Sequence, residues 1–567
     1  MNQKTPALPA IIFLLLIVSP SHAADYSSRA SETTIRFDTP AKNFTEAVPL
    51  GNGRLGAMMF GGVADERIVL NESSVWSGSR QDADRPDAHK VLPEIRRLLL
   101  EGKNVEAETL VNANFTCKGP GSGGAQYGCY QTLGNLRLNF RGGTNAPVGN
   151  YRRELDLDGA VAQVEFTRGA VAYRREMFIS APDQVMVLRL TADHPKSISF
   201  DVRLDRPERF ETIVAAGNEL LMTGQLDNGG DGKGVRYAAR VRVINKGGSS
   251  SVSGNVLSVS EADEVSLLIV AATDYQGFAG RQLQNPSAAS RDDLDHAAKK
   301  SRAALLKAHL ADYRQYFRRV SLQIRPADTQ NASLPTPQRI KLASQDGGDP
   351  NLAALYFNFG RYLLISSSRP GGFPANLQGI WAEEIHTPWT GDWHLDVNVQ
   401  MNYWPAEVCG LSDLAQPLFA LVDSLQAPGA KTARAYYDAR GWVAHVITNP
   451  WGFTSPGESA SWGATSGGSA WLCQHLYDHY LFTRDRRFLQ WAYPIMKGAA
   501  QFYADMLIEE PKHHWLVVAP ANSPENHFFT PDGREAALKV LMGQQGLSDL
   551  MTRAVAAATR RSQDPAK

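Results

Sequence analysis

The hydrophobic residues of this chain change their spacing once, and that change constrains the fold more than any other feature. From about Ile35 to Asp274 they recur at every second position. Ile198, Phe200, Val202 and Leu204 alternate with Ser199, Asp201, Arg203 and Asp205, and Val235, Tyr237, Ala239, Val241 and Val243 alternate with Arg236, Ala238, Arg240 and Arg242. Successive side chains of an extended strand face opposite ways, so these runs predict half-buried antiparallel strands. Their recurrence between Gly, Asn and Asp turns predicts a large β-sandwich. Beyond Asn351 the period is helical: Leu352, Leu355, Tyr356, Phe359 and Leu363 form one apolar stripe at i, i+3, i+4, i+7 and i+11. Further helices are expected near 399–425, 430–440, 468–483, 486–509 and 534–560, with loops rich in Trp, Gly, Pro and Asn between them. Helices joined by such loops predict an α/α toroid whose loop ends form a cup. Between the two regimes, residues 286–320 are rich in Ala, Lys, Arg and Asp and predict a solvated helix joining two bodies. The Pro, Gln, Ser and Gly of Leu334 to Pro350 predict a loop. A chain of 567 residues exceeds what one core supports, so several domains are expected.

Charge narrows the function. With 58 basic and 58 acidic residues the net charge is zero, which favours neither nucleic acid nor an anionic membrane as partner. At the N-terminus Lys4 precedes an apolar run from Ile11 to Val18, and Ser21-His22-Ala23 places small residues at a cleavage site. This is the pattern of an export signal covering residues 1–23, and it predicts a secreted or periplasmic protein. The run is too short to cross a bilayer of about 30 Å as a helix, so no membrane span is expected. Of four cysteines, Cys117 and Cys129 flank a Gly-rich stretch and could close a loop disulfide in an oxidising compartment. Cys409 and Cys473 lie in helical stretches and read as small buried hydrophobes.

The densest chemistry lies between Ser366 and Gly410. Trp381, Trp389, Trp393 and Trp404 stand among Asn376, Gln378, His394, Asp396, Asn398, Gln400 and Asn402. Aromatic faces stack on the C–H faces of sugars, and amides and carboxylates match hydroxyls. The alternative is a polar seam between domains. A second stretch, His514 to Phe528, carries Glu525 in a loop after an apolar run. A carboxyl desolvated beside aromatic walls is suited to general acid work. Alone, a loop Glu is more often solvated surface. His475 and His479 are spaced i, i+4, but Leu476 stands where a zinc protease motif requires Glu. No metal site and no cofactor is expected.

Taken together these motifs resemble a known family. The segment PLGNGRLGAMMFGGVADERIVLNESSVWSG, from Pro49 to Gly78, is similar to the N-terminal β domain of glycoside hydrolase family 95, the inverting α-L-fucosidases. Tyr130 to Gly134 and Tyr151 to Ala162 fit the same domain, while RYLLISSSRPG, PANLQGIW and NVQMNYWPAE resemble the family's helical barrel. The resemblance implies a multidomain protein with an N-terminal antiparallel β-sandwich in 24–285, a helical linker in 286–345, and a partial (α/α)6 barrel in 346–567. It implies hydrolysis of terminal, α-1,2-linked α-L-fucosides on oligosaccharides or glycans with inversion, without a metal. Inversion sets two carboxyl functions about 6.5–9.5 Å apart, leaving room for a water. Carried onto this sequence, Glu525 is the general acid. Asp396 and Asn398 hold the nucleophilic water, facing one way at i and i+2 of an extended segment. His394 and Trp471 look like fucose-pocket residues by the same resemblance, and Trp404 and Asn376 of the Ser366 to Gly410 stretch are expected to bind substrate with them. Asp stands at position 396 where the family usually has Asn, which bears on the choice between α-L-fucosides and α-L-galactosides. The family's late D-x-N-F-G segment with its catalytic base has no counterpart here. The resemblance therefore implies a C-terminally truncated chain with an incomplete barrel and impaired catalysis. A non-catalytic glycan-binding fragment is the alternative. A phosphorylase would need basic residues near the acid, and residues 521–530 contain no Arg or Lys.

Overall fold

A computed structural model describes residues 32–141, 146–324, 331, 333–542, 550–554 and 556–557. The expected export signal, residues 1–23, lies outside the described residues. Alternating strands build two antiparallel sheets. The nine-stranded sheet runs, in spatial order, Thr34–Phe37, Val148–Asp156, Val161–Arg168, Val171–Ser180, Val185–Ala192, Glu264–Thr273, Arg236–Lys246, Glu219–Gln225 and Glu211–Ala216. The seven-stranded sheet runs Ser249–Ser253, Val256–Ala262, Ile198–Asp205, Gly134–Phe140, Asp65–Glu72, Leu55–Met59 and Val48–Gly51. Registers follow the alternation: Phe200 faces Phe140, Val202 faces Leu138 and Leu204 faces Leu136, and all six side chains except the half-buried Phe140 are buried. The N-terminal β-sandwich is therefore present as expected.

One strand departs from a simple polar-out pattern. Arg240 is 1% exposed, because helix Pro286–Ala298 lies over the outer face of its sheet. Its guanidinium donates to Glu219, Ser287 and Ser290, so its charge and donors are satisfied in the interior. The reading of residues 286–320 as a solvated helix is corrected by the same packing. The segment forms two helices, Pro286–Ala298 and Arg302–Phe317, capped by the side chains of Asn285 and Ser301. Leu294, Ala297 and Leu305 pack on Phe178, Val187 and Val270 of the sheet, and His309, Tyr313 and Phe317 continue the buried stripe at spacing four. The expected loop from Leu334 to Pro350 contains a helix instead, Thr336–Asp346, with a proline in its first turn and Gly347 closing it at φ +70. Both residues are helix punctuation, which a composition-based reading takes for loop.

A helical region follows, as expected, in Pro350–Ser367, Asn398–Val408, Gln416–Ser424, Gln426–Tyr437, Gly468–Thr483 and Arg486–Met506. In Pro350–Ser367 most of the predicted stripe faces the core, with Leu355 buried and Leu352, Phe359 and Leu363 packed against it, but Tyr356 departs from it and two polar residues join the inner face. Tyr356 is 78% exposed, whereas Asn358 and Arg361 are buried. Asn358 donates to the Glu32 carbonyl at 3.0 Å and Arg361 to the carbonyls of Phe317 and Val320, so polar side chains occupy the inner face because backbone acceptors await them. The expected helix over 534–560 is overturned in its first part. Lys539–Met542 is a strand paired with Leu516–Ala521, and that strand pairs with Ile508–Glu509. Among the described residues no helix is long and apolar enough to cross a membrane.

The two regions meet along a seam of backbone-directed hydrogen bonds. Tyr362 donates to the Pro49 carbonyl at 2.6 Å, Trp381 to the Leu50 carbonyl at 2.8 Å, and the Gly53 amide to the Ser366 carbonyl at 2.7 Å. A Cβ on Gly51 would stand 2.3 Å from that same Ser366 oxygen. Pro49 to Gly53 is thus a docking motif whose glycines permit close backbone approach.

Candidate active site

His394 is placed by a two-stranded ribbon in which Trp393 pairs with Thr448 and His394 with Ile447. Its Nδ1 lies 2.6 Å from Oδ1 of Asp392, and the Asp392 side chain is 1% exposed against 21% for the ring. Oδ2 of Asp392 accepts from the Tyr127 hydroxyl at 2.6 Å and from Thr390 at 3.2 Å. Burial alone would depress the imidazole pKa. The hydrogen bond to Asp392 and the charges of Asp392, Asp396 and Glu525 outweigh it, so His394 sits above its ordinary value.

Asp396 follows in the turn at 395–397. Burial first, then the charges of Glu525 and Asp392, push its carboxyl above the usual carboxylate range, and His394 opposes them. Its Oδ1 is buried without a hydrogen-bond partner. Glu525 is exposed. Its loop follows strand Leu516–Ala521 and is anchored at Asn522, which donates to the Ser461 carbonyl at 2.8 Å and accepts from Thr465 at 2.6 Å. The Asn526 amide closes a turn on the Ser523 carbonyl. Residues from three places in the chain, 392–396, 525 and 127, therefore share one electrostatic neighbourhood. One imidazole among three carboxyls, with a free buried acceptor on Asp396, can hold a proton, orient a water and bind hydroxyls.

The other predicted residues fall into separate places. Asn398 is exposed at the first position of helix Asn398–Val408. The extended segment expected for Asp396 and Asn398 is in fact a turn leading into a helix, so period-two spacing does not put the two side chains on one face. Trp404 and Trp471 line a cavity of about 150 Å3 between helices Asn398–Val408 and Gly468–Thr483, together with Glu407 and His475. Asn376 is 4% exposed and its Oδ1 accepts from the Gln378 amide in a tight turn. Of the four tryptophans between Ser366 and Gly410, Trp381 and Trp393 are core, donating to the carbonyls of Leu50 and Pro374. Trp389 and Trp404 are exposed. The polar seam thus accounts for much of this stretch: Gln400 donates to the Leu395 carbonyl, Glu383 pairs with Arg67, and Thr387 donates to the Tyr130 carbonyl.

His479 is held by Glu407 at 2.7 Å, and burial lowers His475 to about 4, so the i, i+4 pair has divergent environments. Among the described residues no group of three His, Cys, Asp or Glu side chains could hold a metal ion. The possible Cys117–Cys129 disulfide is not formed: all four cysteines are free and buried. The Cys129 thiol instead donates to the Ile385 carbonyl at 3.0 Å. Sequence reasoning passed over Tyr127 and the role of Asp392. An Asp two residues before a site His was the available signal, since a ribbon strand puts i and i+2 on one side.

Comparison with known proteins agrees with this architecture. Residues 35–278 match the N-terminal domain of glycosyl hydrolase family 65, and residues 301–567 match the glycosyl hydrolase family 95 catalytic domain. The chain is 38% identical to "Alpha-L-fucosidase 2" of Arabidopsis thaliana over 534 residues, covering 89% of this chain and 62% of that protein. It is 35% identical to "Probable alpha-fucosidase A" of Aspergillus niger over 506 residues, covering 85% of this chain and 62% of that protein. The chain thus spans about 62% of the length of these curated relatives. Among solved structures, "Putative kojibiose phosphorylase from human microbiome" superposes with a TM-score of 0.56 at 12% identity, covering 87% of this chain and 62% of that one. At that identity the likeness concerns the fold alone. Residues 301–567, which hold His394, Asp396 and Glu525, match the glycoside hydrolase family 95 catalytic domain along their whole length.

Proposed function

We propose that this chain hydrolyses terminal α-L-fucosides on oligosaccharides or glycans, with Glu525 as general acid and with Asp396 from the turn and Asn398 from the start of the following helix reaching the water from different elements. The observation that carries the reading is the convergence of His394, Asp396 and Glu525, which act on one another electrostatically although 525 is remote in sequence. Glu525 is exposed and so open to the glycosidic oxygen of a bound glycan. The unpartnered Oδ1 of Asp396 is free to accept from a water or a sugar hydroxyl. Trp404 and Trp471 offer stacking faces in the cavity they line together, and Asn376 shapes a turn whose Leu377 amide donates to the Asp392 carbonyl. The two curated relatives carry fucosidase names, which agrees with the substrate class. An α-1,2 linkage is the proposed target, with α-L-galactosides as the competing sugar because Asp stands at 396. Residues 521–530 lack Arg and Lys, which weighs against phosphate as the attacking group.

The test is release of fucose from 2′-fucosyllactose by the parent and by Glu525→Gln. The variant should be slower by about 10²–10⁴, the usual worth of acid catalysis, and less impaired on substrates with acidic leaving groups. Equal rates would remove Glu525 from the mechanism. Binding without hydrolysis by the parent would favour the non-catalytic glycan-binding reading. We further propose that residues 1–23 direct export, supported by their basic, apolar and small-residue order; sequencing the exported protein should find Ala24 first.

A further inference from the structure

His394 is the group in the candidate site whose orientation the surroundings fix most completely. Its Nδ1 is taken by Asp392 at 2.6 Å, and no hydrogen bond engages Nε2 among the described residues. Asp392 is itself fully buried, and its other oxygen is held by Tyr127 at 2.6 Å. Tyr127 lies in the excursion that connects sandwich strands Asp65–Glu72 and Gly134–Phe140. Its ring is buried edge-on against Phe453 at 5.1 Å, and its carbonyl accepts from Asn449 at 2.9 Å. A tyrosine so packed keeps its hydroxyl directed at Asp392. A buried carboxylate so held has one orientation left in which to meet the ring.

We propose that Asp392 and, through it, Tyr127 are positioning residues that lock His394 with Nε2 as its single free nitrogen for a sugar hydroxyl, so that the helical-region site is complete only with the sandwich docked. The inference rests on the reading of this site as a sugar site. Burial, then the Asp392 charge, raise the Tyr127 hydroxyl well above its ordinary value, so it remains a donor across the neutral range. The charged groups facing His394 are Asp392 from the segment before it, Asp396 from the turn after it and Glu525 from the 521–530 loop. The opposite ribbon strand presents Ile447 and Thr448, neither of which titrates. All three carboxyls favour the imidazolium, which donates through both nitrogens. Asp392 alone touches Nδ1 and so sets direction as well as charge.

The experiment uses the full chain with isotope-labelled histidine, the His394 signal being assigned by its loss in His394→Gln. The ring titration is followed by nuclear magnetic resonance in the parent, in Tyr127→Phe and in Asp392→Asn, and L-fucose affinity is measured across pH. The parent ring should titrate above the ordinary histidine value, and Asp392→Asn should move it downward. Tyr127→Phe should fold with a modestly lowered thermal midpoint, and its folded form should bind L-fucose about 3- to 10-fold more weakly, the worth of one hydrogen bond. If Asp392→Asn does not fold, the parent titration still decides: a ring titrating at or below the ordinary value overturns the lock. Unchanged affinity in Tyr127→Phe overturns the part assigned to the sandwich. If the titrations behave as stated and the parent binds no L-fucose at any pH, the lock stands and the sugar-site reading fails.

Discussion

Two short acid–base pairs, a fully buried one in the sandwich and a half-buried one in the candidate site, meet their surroundings in opposite ways. Arg175 and Glu66 lie 3.0 Å apart with side chains 3% and 0% exposed. Every direction around them is filled. Glu66 accepts from the Gly61 amide at 2.8 Å, Arg175 donates to the carbonyls of Gly62 and Val63, and its guanidinium lies 4.0 Å above the Phe140 ring. The pair of Asp392 and His394 is as short, but it is closed on one side only. Beyond the ring lie Asp396, with a buried oxygen that has no partner, and the exposed Glu525. Polar groups are costly to bury unpaired, so a network left open in the interior points to a ligand, while a closed one serves the fold.

This contrast can be broken experimentally. The largest effect is expected at the closed network. Glu66→Ala leaves Arg175 buried without its counter-charge and should lower unfolding free energy by about 3–5 kcal/mol. Denaturant titration reads the loss, and the folded fraction should bind L-fucose as the parent does. A loss below about 1 kcal/mol would show that the pair is not what holds this part of the sandwich.

Smaller effects are expected around the site. Trp404 is 52% exposed, whereas Trp381 is 7% exposed and bonded to Leu50. Trp404→Ala should leave the thermal midpoint unchanged and weaken fucosyl-oligosaccharide binding by about 0.5–1.5 kcal/mol in calorimetry, the usual worth of an aromatic contact. A lowered midpoint with unaltered binding would make Trp404 structural.

The smallest effect is the dependence of stability on pH. The folded-state carboxyl of Asp396 is raised by burial, then by Glu525 and Asp392, so the folded state binds more protons than the unfolded chain. Its contribution to stability therefore declines as pH rises from the usual carboxylate range through the folded value. His394 is also raised: its contribution is full below the ordinary histidine value and is lost as pH climbs through the folded one. Asp396→Asn should be more stable than the parent by up to about 1 kcal/mol above the acid limb and indistinguishable below it. His394→Gln should remove the near-neutral limb. Two unchanged limbs would place the titrating groups elsewhere.

What the residues disclose in advance follows the same division. Alternation in Ile198 to Asp205 and the seam signature from Pro49 to Gly53 are local patterns, and the architecture follows from them. The predicted face of Pro350–Ser367 holds at Leu352, Leu355, Phe359 and Leu363 but misses Asn358 and Arg361, which go inward to meet carbonyls from residues 32, 317 and 320. No local pattern reports acceptors so distant in sequence. Lys539–Met542 is a strand because Leu516–Ala521 offers an edge, against its helical composition. In the site, the motif around His394 and the resemblance supplied Asp396 and Glu525. Tyr127 reaches Asp392 across 265 positions, a separation at which only the fold brings them together.

The open network around His394, Asp396 and Glu525 is proposed as the sugar-cleaving site. Its most direct test is proton magnetic resonance of 2′-fucosyllactose with the parent protein, read within the first turnovers. Release of fucose that appears first as the β anomer is the predicted result, as inversion of an α-fucoside requires. Fucose appearing first as the α anomer, or an intact glycan that nonetheless binds, would rule out inverting hydrolysis at this site.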